Sequence, residues 1–207
     1  MKLYQKRQRG ESKFSRCTAQ ILPYAVMLGA FYICGAIVGN CCAFAMPESG
    51  LSAYGLIAGK TAVFSNIKNV NILALVIGNF KYAVMIFALG FFLFGLFLIP
   101  AVISVKGFEF AFCVACFYRA AGFTGLKAAS CALLVQNAVL LPGLLILAGQ
   151  ACFMSKNMFA GFLKTRTVSA EVPDCYFKVF GGCMAVCAAL CLWEVFAVPA
   201  LVSAALL

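Results

Sequence analysis

The chain has no histidine, one tryptophan and only six acidic residues in 207. Without histidine, the side chain that most readily moves protons near neutral pH is missing, and so is a common metal ligand. Charged residues make up 11% of the chain, where a soluble domain carries about a quarter. So little charge excludes an ordinary water-soluble globule. No phosphate-binding glycine loop, His-Glu-x-x-His helix or Gly-x-Ser-x-Gly elbow occurs. These absences argue against an enzyme and call for no cofactor and no metal.

What is present is apolar. Hydrophobic residues make up 65%, with 21 phenylalanines and a mean hydropathy of +1.03. The expectation is an integral membrane protein, an all-α polytopic bundle of about five transmembrane helices. The sixteen basic residues give a net charge of +10, but they cluster beside apolar runs. That placement reads as topology and contact with anionic membrane lipids, not nucleic acid. Of the twelve cysteines, Cys34, Cys113, Cys116, Cys131, Cys183, Cys187 and Cys191 fall inside apolar runs. Cys183, Cys187 and Cys191 share one helical face, where cysteine acts as a small packing residue. Cys113-x-x-Cys116 is a lone pair, a weak sign of redox or zinc chemistry.

Residues 1–19 form a basic tail and residues 20–207 a single transmembrane domain. The first span is expected at Ile21–Ala45, with Gly29, Gly35 and Gly39 suited to close helix contact and Pro47 ending it. Residues 47–71 are mixed in character. The continuous apolar stretch that follows divides into spans at Asn79–Ser104, with Gly90 and Gly95, and at Val105–Ala121. A fourth span covers Leu126–Met154 and a fifth Val179–Leu201. Lys and Arg are in excess on the N-terminal side, which predicts a cytoplasmic N-terminus.

Polar groups inside these runs mark the interesting positions, because each costs free energy in hydrocarbon unless partnered. Glu109 lies three residues after Lys106, as a structural ion pair or a gate. Glu194 has no basic residue nearby in sequence and is a candidate functional carboxylate within reach of Gln136 or Asn137. Gln136 and Asn137 read as interhelical links, and Pro142 as a buried position whose freed carbonyl a neighbour must satisfy. The phenylalanines read as lipid-facing. Gly107, Gly122 and Gly125 are expected to shape a hairpin.

From Asn79 to Pro142 the sequence resembles the stage II sporulation protein M family of small multi-pass membrane proteins. The shared features are Asn79-Phe80-Lys81, an apolar run with Gly90 and Gly95 ending at Pro100, and a Lys106-Gly107-Phe108 turn. They continue with Gly122, Gly125 and Lys127, then Gln136-Asn137 and Pro142. Val135 stands where the family has proline, and Glu109 where it has a small residue. The resemblance implies a non-enzymatic scaffold of endospore formation. Its partners would be peptidoglycan-degrading enzymes resembling stage II sporulation proteins P and D, at the septal and engulfing membranes. A transporter or permease-like component built on Glu109, Glu194 and Asn137 is the alternative. A homo-oligomer is compatible with either.

Overall fold

The computed structural model describes residues 2–47, 72–129, 133–164 and 174–206. These form helices α1 (Lys2–Ala45), α2 (Ile72–Gly90), α3 (Gly95–Ala129), α4 (Val135–Lys164) and α5 (Asp174–Leu206). Ile21–Ala45, Gly95–Arg119, Val135–Phe159 and Tyr176–Phe196 are each long and apolar enough to cross a membrane, with Val76–Gly90 a shorter apolar segment. The protein is a helical membrane bundle, as its composition predicts. The basic tail is not separate in backbone terms: α1 begins at Lys2 and runs through it.

Helix α1 packs on α3 backbone to backbone. A side chain at Gly35 would strike the Ser104 carbonyl, one at Gly39 the Phe108 carbonyl, and one at Gly107 the Tyr32 carbonyl. Glycine permits this approach because it has no Cβ to hold the helices apart. The Ser104 hydroxyl, so close to α1, donates to the Phe31 carbonyl at 3.0 Å. Farther along, the Arg119 guanidinium donates to the carbonyls of Ala43 and Met46 at 2.5 and 2.7 Å. Those acceptors are left over where α1 stops before Pro47. From Phe31 beside Ser104, through Gly39 beside Phe108, to Ala43 and Met46 beside Arg119, the two helices advance together, so α1 and α3 run parallel. Gly107 therefore lies mid-helix in a close packing contact, not in a turn.

The second and third spans divide earlier than the sequence suggested. The break is at Phe91–Phe94, upstream of Pro100, and α3 then continues unbroken past Ser104 and Lys106. The break is a tight reversal built from i→i−3 bonds, such as Phe92 N–H to Leu89 O at 3.1 Å and Gly95 N–H to Phe92 O at 3.0 Å. Buried Ser155, from α4, completes it. Its hydroxyl accepts from Leu96 N–H and donates to the Phe92 carbonyl, both at 2.9 Å. In an apolar surrounding these backbone groups have no water to turn to. Ser155→Ala is expected to lower stability by about 2 kcal/mol, read as a lower thermal midpoint in detergent.

The core is made by Leu28 of α1, Ile86 of α2, Ile99 and Ile103 of α3, and Leu140, Leu144 and Leu147 of α4. Cys183 and Cys187 of α5 join it, as their shared face predicts, and Cys191 is buried beside them. Phe87 corrects the reading of phenylalanine as lipid-facing material. It stacks on Tyr176 and Phe180 of α5, with ring centroids 5.0 and 4.0 Å away. Phe92, Phe94, Phe97 and Phe196 are exposed, as expected.

Candidate functional site

Three helices bring an amide, an amide and a carboxyl together. Asn79 of α2 and Gln136 of α4 are buried, and the Gln136 amide donates to Asn79 Oδ1. The Asn79 amide donates to Glu194 Oε2 of α5 at 2.9 Å and lies 3.4 Å from Cys191 Sγ. The Cys187 thiol donates to the Asn79 backbone carbonyl at 3.6 Å. Asn79 is thus the hub of the cluster, joining α2 to both α4 and α5.

In the sequence Asn79 marks only the start of a span and of a motif. The usable signal was its type: an amide in an apolar helix needs a partner from another helix. Gln136 forms the interhelical link expected of it. Asn137 does not. Its amide donates back to the Leu133 carbonyl of its own helix at 2.9 Å, because adjacent helical residues point about 100° apart and cannot both reach the same neighbour. Glu194 finds its amide partner in Asn79, not Asn137.

A second cluster lies where α2 faces α3. Glu109 accepts from the Lys81 ammonium at 2.8 Å, and the two side chains are 39% and 45% exposed. Lys81 thus reaches Glu109 across the helix contact, a partner that spacing within one helix did not indicate. Lys106 itself is buried, its ammonium 4.9 Å from the centroid of the Tyr82 ring. The cation meets the negative face of the ring, a favourable arrangement in a place with little water.

The remaining predicted positions separate. Pro142 is exposed on α4, so the buried position expected for it is not what forms. Gly122 adopts φ 57°, the left-handed conformation that glycine takes without strain. Gly125 and Lys127 follow within α3, which persists to Ala129, so the connection to α4 comes after the glycine motif. Cys131 lies outside the described residues. Cys113 and Cys116 form no disulfide, nor do Cys183, Cys187 and Cys191.

Chemically, the first cluster is a hydrogen-bonded lock across α2, α4 and α5, and the second a charge pair at the bundle surface. No family model, curated protein or solved structure matches the chain.

Proposed function

We propose that this chain is a multi-pass membrane scaffold, a platform that holds the membrane anchor of a partner and performs no bond-making itself. The observation that carries the reading is the Asn79–Gln136–Glu194 cluster, whose polar atoms bind one another across three helices. Polar capacity spent in this way makes a bundle of fixed shape, which a platform needs. The resemblance to the stage II sporulation protein M family supplies the partner class, peptidoglycan-degrading enzymes during engulfment of the forespore. The α1 start, the end of α4 and the start of α5 hold the excess of Lys and Arg in sequence, so we read that end of the bundle as cytoplasmic.

The transporter alternative requires Glu109, Glu194 and Asn137 to join in one polar path. Glu109 sits with Lys81, Glu194 with Asn79, and Asn137 on the Leu133 carbonyl, so we rank that reading second.

The test is affinity purification of the tagged full chain from detergent-solubilised membranes of its host during engulfment. Membrane-anchored peptidoglycan hydrolases are expected to be enriched about tenfold over a tagged unrelated membrane protein, a difference of about 1.4 kcal/mol in apparent binding. Gln136→Leu is expected to reduce that recovery at equal expression, and Asn137→Leu to leave it close to wild type. No hydrolase enrichment with the wild-type chain would reject the scaffold reading.

A further inference from the structure

The Lys81–Glu109 pair is in an unusual place. Glu109 lies ten residues before Arg119, where the apolar part of α3 ends, which is about 15 Å along the helix. That is well inside a hydrocarbon layer about 30 Å thick. Yet both side chains are more than a third exposed at the outside of the bundle. An ion pair partly facing acyl chains is costly, since its charges lose water there. The cost falls if a second protein surface covers the pair and adds hydrogen bonds.

The surface around the pair is suited to being covered. On α2, Ile77, Lys81, Val84, Met85 and Ala88 are exposed along one face, and Val105 is exposed on α3. Gly78 stands one turn before Lys81, and a side chain there would meet nothing within 4 Å. Unlike Gly35 or Gly107, it is not required by any contact among the described residues. A helical glycine costs about 1 kcal/mol relative to alanine, and close approach from outside is a use for it.

We propose that this face is where a second copy of the chain docks, with each Lys81 meeting the Glu109 of the other copy around a two-fold axis along the membrane normal. Charge complementarity selects this occupant. Copies inserted in the same sense carry their pairs at the same depth, so rotation about that axis sets each cation opposite an anion. An unrelated single-span anchor would have to bring one charge of each sign to that same depth. The inference is independent of the scaffold reading, because it concerns self-association alone.

The experiment uses two differently tagged full-length chains, co-expressed and purified through one tag in mild detergent. Wild type is expected to recover wild type. The double reversal Lys81→Glu/Glu109→Lys keeps the pair within each chain and its match to an identical copy, so it is expected to recover itself equally well. Mixed with wild type, it sets like charges against each other, and recovery is expected to fall at least about tenfold. Gly78→Leu is expected to leave the thermal midpoint of the chain at or above that of wild type while reducing self-recovery by a similar factor. The proposal is overturned if wild-type chains do not recover each other, which would leave lipid or another protein on this face. It is also overturned if the mixed pair associates as well as the matched ones, or if folded Gly78→Leu still self-associates fully.

Discussion

Gly35→Ala is expected to destabilise the protein while Gly29→Ala, earlier on the same helix, stabilises it. Taken alone, each replacement favours the helix by about 1 kcal/mol, because alanine loses less backbone entropy on folding. At Gly29 nothing lies within 4 Å of the added methyl, so that gain is kept. At Gly35 the methyl would collide with the carbonyl, carbon and Cα of Ser104. These are backbone atoms and cannot rotate aside, so α1 and α3 must separate. Separation also stretches the Ser104–Phe31 hydrogen bond and loosens the contacts at Gly39 and Gly107. Overpacking of this kind costs about 1–3 kcal/mol, and the backbone collision places Gly35→Ala at the upper end. Thermal unfolding in detergent should therefore give shifts of opposite sign. Equal shifts would mean that α1 and α3 do not touch through their backbones.

That contrast also marks how far the fold could be read from the chain alone. Gly35 and Gly39 are four residues apart in an apolar run, a spacing that puts both on one helical face, and the structure uses that face for contact. Composition likewise identifies a helical membrane bundle. The α2–α3 reversal was hidden because Gly90-Phe-Phe-Leu-Phe-Gly95 contains no proline, asparagine or aspartate. Its polar support comes from Ser155, 59 residues beyond Leu96. Lys106 and Pro100 drew the boundary downstream because a charge and a proline are local signals of an interruption, and here α3 tolerates both.

The site was legible by residue type and not by partner. Gln136 and Glu194 stood out as polar groups in apolar runs, and both enter the cluster. Local spacing pointed Glu109 to Lys106 and gave no sign of Lys81, 28 residues away, which the carboxylate also meets. Such pairings depend on which helices become neighbours, and periodicity within one helix does not contain that information. The same limit hid Asn79, whose role appears only once α4 and α5 are placed beside it.

Asn79→Leu is expected to have the largest effect of any substitution in the polar cluster. The side chain reaches both the Gln136 amide and the Glu194 carboxyl, so its loss removes two interhelical contacts at once. Gln136 would also remain buried without the acceptor it faces. Removing one partner from a buried hydrogen bond costs about 1–3 kcal/mol, and with two partners affected the loss should approach 3 kcal/mol. Gln136→Leu removes one of the contacts and should cost less. A double-mutant cycle separates the network from simple packing. If Asn79 and Glu194 act together, the loss from Asn79→Leu with Glu194→Leu should fall short of the sum of the single losses. The shortfall should be about 0.6–1.7 kcal/mol, the coupling found for polar pairs between membrane helices. Additive losses would show that the 2.9 Å contact contributes nothing to holding α2 against α5, and a bundle of fixed shape would lose its main support.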